Sequence, residues 1–268
     1  MKAEYIYEQG SGTVNEDNFV ISSDMAAVFD GATSLDKKKD EHGKTGGGYA
    51  SGIARQVFLN NNDSLVNLAD KANSAILKKM TEKGVDIRDR THLWSTSAAV
   101  VRIKNNTAEW VQTGDSLVML IYEDGSYRIP VKTYNHDRDT LIMWKKTAET
   151  TDRSVFDVLN HQIKKVRCNM NRTYGVLNGE TAYSDFLCTG SESIKGLSHI
   201  LVFTDGLFIP CKDPDNREDF DLFVKLFRLN GLSGIREHVR SLELSDPECR
   251  MYPRFKPHDD IAAVSIAL

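Results

Sequence analysis

Short runs of apolar and β-branched residues recur along the chain and predict β-strands. They lie near residues 4–7, 18–22, 25–30, 95–103, 108–113, 116–122, 199–204 and 260–267. The runs at 95–103 and 108–113 flank the turn sequence KNNT, and strands joined by so short a turn pair antiparallel. The pattern therefore predicts antiparallel sheets.

Apolar residues at helical spacing predict α-helices between these strands. Two strong patterns follow one another: Tyr49, Ala50, Ile53, Ala54, Val57 and Phe58, then Leu65, Leu68, Ala69, Ala72, Ile76 and Met80. Weaker patterns occur at Val155, Phe156, Leu159 and Ile163, at Phe220, Phe223, Val224 and Phe227, and at Leu232, Ile235 and Val239. The glycines of TGGGYAS, residues 45–51, precede the first helix and permit close packing or a tight helix start.

Strands are followed by helices and then by strands again, which predicts an α+β fold with antiparallel sheets covered by helices. With 268 residues, of which 40% are hydrophobic, the chain can bury one large core, and we predict a single domain over residues 1–268. Residues from about 125 to 195 are the least periodic and most polar part of the chain. We interpret them as an insertion or flap over one end of the domain.

The net charge narrows the range of partners. The chain has 34 basic and 38 acidic residues and a formal charge of −4, which provides no field to attract nucleic acid or an anionic membrane. We expect neither as a partner. The first residues, MKAEYIYEQG, contain no apolar signal segment, and no apolar stretch is long enough to span a bilayer, so the sequence predicts a cytoplasmic protein.

Four cysteines, Cys168, Cys188, Cys211 and Cys249, lie far apart in the sequence without C-x-x-C spacing. A chain of this size does not need disulfides for stability. We interpret the cysteines as free buried thiols rather than as metal ligands or redox groups.

Carboxylates stand at the ends of four apolar strands. They occur in VFDG (28–31), QTGDS (112–116), LVFTDG (201–206) and PHDDIAAVSIAL (257–268). An unpaired charge at a buried strand end is costly unless a cation lies beside it, and hard divalent ions such as Mg²⁺ and Mn²⁺ take oxygen ligands. A single Asp–Gly pair is more often a turn or a cap, but four strand-end acids together favour a metal site.

These acids belong to a longer series of motifs that covers essentially the whole chain. In order, the motifs are NEDNF (15–19), VFDGATS (28–34), TGGGYAS (45–51), STSAAVV (95–101), TGDSLVMLI (113–121), YGVLNGE (174–180), LVFTDGLF (201–208) and HDDIAAVSIAL (258–268). The series resembles that of the bacterial-like metal-dependent protein serine/threonine phosphatases of type 2C, the PPM family. The resemblance implies two antiparallel sheets packed face to face between pairs of helices, with a metal centre at one end and a variable flap beside it.

The resemblance also implies roles for the acids. Asp30 would bridge two Mn²⁺ or Mg²⁺ ions, and Gly31 would offer its backbone carbonyl to one of them. The residues that match the remaining ligands are Asp205 and Asp259 for the second ion, Asp115 with Asp205 for a third ion found in many bacterial members, and Glu16 and Asp17 for contacts through water. Asp260 would lie outside the first coordination sphere.

The implied activity is hydrolysis of phosphate monoesters. Two divalent ions lower the pKa of a shared water, so that hydroxide attacks phosphorus and no Ser, Cys or His nucleophile is required. The implied substrates are proteins that a cognate serine/threonine kinase has phosphorylated on serine or threonine. Only His258 among the seven histidines lies in a matched motif, and we interpret it as a surface or outer-sphere residue rather than as a general acid.

The chain departs from the family pattern at two positions. The family commonly has an arginine four residues before the Glu of NED, where it binds the substrate phosphate, and this chain has Gly12 there. Ala32 follows the Asp–Gly pair where His or Met is frequent. The run Lys37, Lys38 and Lys39 could supply a cation, although such runs are more often solvated.

These departures leave two other functions open. One is a catalytically weak or silent phosphatase-like binding or scaffold module, which the absence of the arginine favours. The other is a small-molecule hydrolase, unrelated to the family, that uses a single Mg²⁺ at the acid cluster. A phosphatase of the family pattern that acts on small phosphoesters also stays open as a substrate class. Retention of every inferred ligand argues against the first, and the eight ordered motifs argue against a hydrolase unrelated to the family.

Overall fold

The computed structural model describes residues 2–32, 35, 39–59, 62–132, 134–216 and 219–268. Within these residues, ten strands form two five-stranded antiparallel sheets. The first sheet has the order β1 (Lys2–Glu8), β10 (Ile261–Ala267), β9 (Leu197–Phe203), β6 (Leu117–Tyr122) and β7 (Tyr127–Arg128). The second has the order β2 (Asn18–Ile21), β3 (Met25–Gly31), β4 (Thr96–Lys104), β5 (Thr107–Thr113) and β8 (Cys188–Ser193). All eight predicted strands are confirmed.

Successive side chains of a strand point to opposite faces of its sheet, so each sheet has an apolar inner face that packs against the inner face of the other. In β3, Ala26 and Val28 pack into the core between the sheets, where they join Val202 of β9 and Val264 of β10. Their neighbours Ala27 and Phe29 belong to a different cluster on the outer face. Every position of this strand from 25 to 29 is therefore buried, which explains its continuous apolar sequence.

The predicted hairpin is formed by β4 and β5, with Lys104 paired to Thr107. Asn105 and Asn106 occupy its turn with φ of 51° and 59°. Two left-handed residues at the centre of a two-residue turn match the right-handed twist of the flanking strands, and asparagine tolerates that conformation well.

Helices α1 (Gly46–Leu59) and α2 (Leu65–Glu82) cover the outer face of the second sheet, as predicted. Ser64 caps α2, since its side chain accepts a hydrogen bond from the backbone N–H of Asn67 at 3.2 Å. The start of α1 packs directly on the end of β3. A Cβ atom on Gly31 would lie 2.5 Å from the carbonyl oxygens of Glu16 and Gly47, so only glycine fits there.

The outer face of the first sheet is covered by a helix that spans Phe220–Leu244. Two predicted helical patterns merge in it, and the boundary between them is a kink at Asn230 and Gly231, where Gly231 has φ of 65°. The carboxylate of Glu4 in β1 accepts the backbone N–H of Leu232 at 3.2 Å, just after the kink. The fold is thus four-layered, with two antiparallel sheets between helices.

The segment from 125 to 195, interpreted from sequence as an insertion or flap, contributes to both sheets at its ends. Strand β7 pairs with β6, and β8 pairs along β5. No hydrophobic pattern predicts β8, because it is an edge strand, CTGSES, without a buried apolar face. A bridge between Thr96 and Leu177 ties a further part of the segment to the sheet.

Between these attachments lie three short helices with a small core of their own. They are α3 (Arg138–Thr147), α4 (Val155–Val158) and α5 (Asn160–Arg167), and the long helix over the first sheet is α6. The core consists of Trp144, Ala148, Val155, Leu159 and Ile163. The Trp144 indole N–H donates to the carbonyl of Cys249 at 2.8 Å, which attaches this cluster to the chain just before β10.

All four cysteines are free, as predicted, but they are not all buried. Cys249 is buried, Cys168 and Cys211 are partly exposed, and Cys188 on the edge strand is exposed. The prediction of burial is wrong for Cys188, because β8 has solvent on its open side.

Among the described residues, none of the helices has the length and apolar character that crossing a membrane requires.

Candidate metal centre and active site

Four predicted ligands converge at one end of the sandwich. Asp30 ends β3, Asp115 lies in the turn between β5 and β6, Asp205 follows β9, and Asp259 precedes β10. Their side chains line one cavity of about 140 Å³, hereafter the acid cavity, together with Gly31. The second sheet contributes Asp30 and the first sheet Asp205 and Asp259, so the cavity depends on both sheets.

The acid cavity is strongly electronegative. Burial raises the pKa of Asp30 well above the usual carboxyl range, and the charges of Asp205, Asp17, Asp115 and Asp259 raise it further. The pKa of Asp205 is raised in the same way, by burial first and then by Asp115 and Asp259. Several carboxylates that repel one another in a buried place require a cation or protons.

The acid cavity fits a hard divalent cation in its donor chemistry. Within the part of the chain that the structure describes, no group of three or more His, Cys, Asp and Glu side chains has the arrangement of a formed metal site. However, five carboxylates, those of the four predicted ligands and of Asp137, line one cavity with Gly31, and oxygen donors of this kind are the ligands that Mg²⁺ and Mn²⁺ take. A metal ion would also offset the charge repulsion described above.

Glu16 and Asp17 lie beside the acid cavity rather than in its lining. The Thr45 hydroxyl donates to Glu16 Oε1 at 2.6 Å, and the Thr204 hydroxyl donates to Asp17 Oδ2 at 2.8 Å. Burial raises the pKa of Asp17 well above its usual range. Both carboxylates are therefore held in place behind the ligands, and their contact with metal through water stays a prediction.

Asp260 connects the two ends of the chain. Its Oδ1 accepts the backbone N–H of Gly10 and its Oδ2 that of Glu16, both at 2.8 Å. Because both carboxylate oxygens already bind backbone, Asp260 has a structural role beside Asp259. This agrees with its interpretation as a residue outside the first coordination sphere.

The position of the absent arginine is an exposed turn next to Asp259. The backbone N–H of Ser11 donates to the carbonyl of His258 at 2.9 Å, which holds this turn against the approach to β10. The Lys39 ammonium donates to the Thr13 hydroxyl in the same turn. Lys37 and Lys38 lie outside the described residues.

His258 is directed away from the acid cavity. Its Nδ1 lies 3.0 Å from Oε2 of the buried Glu243, and His258 is not part of the cavity lining. This placement agrees with an outer role rather than that of a general acid.

Five ionisable residues of the cavity lining were missed by the sequence analysis: Lys256, Arg167, His136, Asp137 and Tyr174. Lys256 Nζ lies 2.7 Å from Asp259 Oδ1. Burial alone would lower the pKa of Lys256, but the carboxylates of Asp259, Asp260 and Asp30 together outweigh it and raise that pKa. His136 stacks on the ring of Tyr174 at 4.0 Å, with Nε2 3.7 Å from Asp115 Oδ2. Lys256 lies three residues before Asp259 in an irregular segment, where this spacing does not by itself predict a contact.

A second cavity of about 190 Å³, hereafter the outer cavity, adjoins the acid cavity. The two share seven lining residues: Asp115, His136, Asp137, Asp205, Phe255, Lys256 and Asp259. The outer cavity adds a mainly apolar wall, formed by Leu141, Phe208, Ile209, Pro210 and Pro253. A ligand bound at the acids therefore has an apolar surface next to it.

The raised pKa of Asp30 predicts how stability depends on pH in the presence of a chelator. Because the folded protein binds this proton more tightly than the unfolded chain, the free energy of unfolding falls as pH rises from about 4 through the raised pKa. We expect the free energy of unfolding of Asp30→Asn to fall less steeply with pH than that of the wild type, as measured by urea unfolding in EDTA between about pH 4 and about pH 8.

The matched control for this experiment is Asp63→Asn. Hydrogen bonds from Asn67, Lys71 and Ser64 lower the pKa of Asp63 to about 2. Its contribution to stability is lost only as pH falls below about 4, so this variant should follow the wild-type slope above that pH. A wild-type slope in Asp30→Asn would contradict the proposed charge repulsion.

Comparison with known proteins identifies relatives of the chain. A model of the protein phosphatase 2C family matches residues 8–242. No curated protein sequence matches the chain.

Solved structures of bacterial phosphatases share the fold. The serine/threonine phosphatase PstP/Ppp of Mycobacterium tuberculosis superposes with a TM-score of 0.61 at 14% identity, covering 100% of this chain and 98% of that one. Stp1 of Staphylococcus aureus gives 0.60 at 14% identity, covering 100% and 94%. The catalytic domain of the serine/threonine phosphatase PstP in complex with two manganese ions gives 0.57 at 15% identity, covering 98% and 96%.

Proposed function

Because the chain belongs to the protein phosphatase 2C family, we propose that it hydrolyses phosphoserine and phosphothreonine in proteins at divalent ions held by Asp30, Gly31, Asp205 and Asp259. Asp115 would hold a third ion with Asp205. The observation that carries the proposal is the convergence of these partly buried carboxylates from both sheets on one cavity.

The proposed metals are Mn²⁺ or Mg²⁺, two ions in the first instance. When bound, they would lower the pKa of water and offset the negative charge of the transferring phosphoryl group. The ligands are supplied by strand ends, so they are held in place by the sheets rather than by mobile loops. One structure of similar fold contains two manganese ions, which supports this choice of metal.

The protein's own residues prepare the site in three ways. Asp30 and Asp205 supply negative charge at partly buried strand ends that line the acid cavity. Thr204 holds Asp17, and Asp260 holds the turn at Gly10 against the approach to β10. The apolar wall of the outer cavity would contact the peptide that flanks the phosphorylated residue. Substrates of a cognate serine/threonine kinase fit this arrangement.

The experiment that tests the function is phosphate release from a phosphothreonine peptide with Mn²⁺, beside the same peptide with phosphotyrosine. We expect turnover of the first peptide and much slower turnover of the second. Asp205→Ala serves as the control for contaminating phosphatases. Absence of turnover by folded, Mn²⁺-loaded protein on the phosphothreonine peptide and on p-nitrophenyl phosphate would overturn the proposal.

Gly12→Arg is expected to increase kcat/KM about tenfold, mainly through a lower KM, because a guanidinium there can bind the substrate phosphate in a bidentate manner. The backbone permits the change. Gly12 is not among the glycines with positive φ, and a Cβ on it would meet only the carbonyl oxygen of Val14 at 3.3 Å.

The matched variant for this test is Gly12→Gln, which adds a side chain of similar length without charge and should give no gain. Steady-state kinetics with the phosphothreonine peptide measure both variants. Equal kinetics of Gly12→Arg and Gly12→Gln would show that the phosphate does not reach this turn.

A further inference from the structure

Lys256 is bound to a carboxylate that we assign to the metal centre. Its Nζ lies 2.7 Å from Asp259 Oδ1, and its side chain is only 22% exposed. The same oxygen accepts the backbone N–H of Asp260 at 2.8 Å. Lys256 therefore neutralises Asp259 from inside the acid cavity.

The other cations near the acid cavity have different partners. Arg240 reaches Asp259 only at its backbone carbonyl, at 2.8 Å, and its guanidinium is bound to Glu8 and Glu243. Arg167, which also lines the cavity, donates to the Ser95 hydroxyl at 3.3 Å. Among the described residues of the lining, Lys256 is the cation that lies directly on a predicted ligand.

An ammonium and a divalent ion would both be attracted to the single negative charge of the Asp259 carboxylate. A metal bound at Asp259 would lie close to the Lys256 ammonium, and two cations at such a distance repel one another in a poorly solvated site. Lys256 would then have to leave Asp259. Its long, flexible side chain allows this movement. Because Lys256 lines both the acid cavity and the outer cavity, the outer cavity provides space for the displaced ammonium.

We propose that Lys256 holds Asp259 until a divalent ion displaces it, and that the displaced ammonium then binds the phosphoryl oxygens of the substrate. This inference rests on the proposed function. A lysine is suited to both states, since a compact ammonium binds a carboxylate or a phosphate as a point charge.

The first test measures metal binding without substrate. Isothermal calorimetry with Mn²⁺ should give a Kd about tenfold lower for Lys256→Met than for the wild type, because the competing cation is gone. Lys145→Met is the matched control, since Lys145 forms an exposed ion pair with Asp213 at 3.5 Å outside the acid cavity. It should bind Mn²⁺ like the wild type. Equal Mn²⁺ affinity in Lys256→Met and Lys145→Met would overturn the proposal.

The second test uses inorganic phosphate as the ligand at saturating Mg²⁺. Lys256→Met should bind phosphate about tenfold more weakly than the wild type, and Lys256→Arg should restore most of the affinity. Unchanged phosphate binding in Lys256→Met would overturn the second half of the proposal, because the lysine would then be a counter-ion only. If Lys256→Met does not fold, Lys256→Gln replaces it, with folding checked by circular dichroism.

Neither binding measurement requires turnover. A wild-type protein that binds Mn²⁺ and phosphate with the expected dependence on Lys256, yet does not hydrolyse the phosphothreonine peptide, would support this inference and contradict the proposed function. Conversely, a protein that hydrolyses the phosphothreonine peptide but binds Mn²⁺ and phosphate equally well after replacement of Lys256 would support the proposed function and contradict this inference.

Discussion

Replacing Asp205 by alanine is expected to reduce kcat/KM for a phosphothreonine peptide by about a thousandfold. Besides burial, the charges of Asp205 and Asp115 raise the pKa of Asp30, and the charge of Asp115 raises the pKa of Asp205. Asp205 therefore interacts electrostatically with the other acids of the cavity. Like Asp30, Asp205 is a carboxylate that we assign to two metal sites, so its loss removes a ligand from both. Steady-state kinetics at saturating Mn²⁺ measure the effect.

The fold of the Asp205→Ala variant should survive. Burial and neighbouring charges raise the pKa of Asp205, so its ionised form opposes folding in the absence of metal. Thermal unfolding in EDTA at pH 8 should therefore give a Tm no lower than that of the wild type. Asp213→Ala, which removes an exposed acid outside the acid cavity, should keep wild-type kinetics. Activity of Asp205→Ala within tenfold of the wild type would show that the ligand assignment is wrong.

Removal of divalent ions is expected to abolish activity almost completely. The described lining of the acid cavity contains no Cys, and its serines are occupied elsewhere: Ser97 shares a hydrogen bond of 2.6 Å with Ser116, and Ser95 accepts from Arg167. We therefore expect no covalent route to replace the metal-dependent one. Activity should be measured after exhaustive dialysis against EDTA, with phosphate release as the readout.

Readdition of different ions separates metal dependence from damage to the protein. Mn²⁺ or Mg²⁺ should restore activity, whereas Ca²⁺ should bind and restore little, because it is larger and holds its ligands in a looser geometry. Circular dichroism before and after dialysis controls for unfolding. Full turnover after chelation, with residual metal below the enzyme concentration, would contradict the mechanism.

The parts of the fold that hydrophobic patterning predicts are those with a buried face. Strand β3 was evident because positions 25 to 29 are all buried. Strand β8 was missed because its residues are mostly exposed, and its place in the sheet is set by pairing with β5 over six residues. Such pairing depends on residues that are distant in the sequence, and the local sequence pattern of a polar edge strand does not predict it.

The predicted metal ligands share a local signal, a carboxylate at the end of an apolar strand, and four of them do meet in one cavity. Lys256 and His136 reach the same cavity from irregular segments, where side-chain direction depends on the path of the chain rather than on a period. For His136 that path brings a stacked Tyr174 alongside it. Sequence patterns therefore located the acids of the site but not its ionisable surroundings.

The position of β10 has a consequence for biosynthesis. Strand β10 lies between β1 and β9, with Lys2 opposite Ala267 on one side and Phe203 opposite Ala263 on the other. Asp259 and the Asp260 contacts to Gly10 and Glu16 precede it immediately. During translation, the first sheet stays divided until residues 261–267 have left the ribosome, and Asp30 is made long before Asp259. A nascent chain stalled before β10 would therefore carry the unpaired edges of β1 and β9, and the first sheet and the acid cavity can be completed only after β10 has been synthesised.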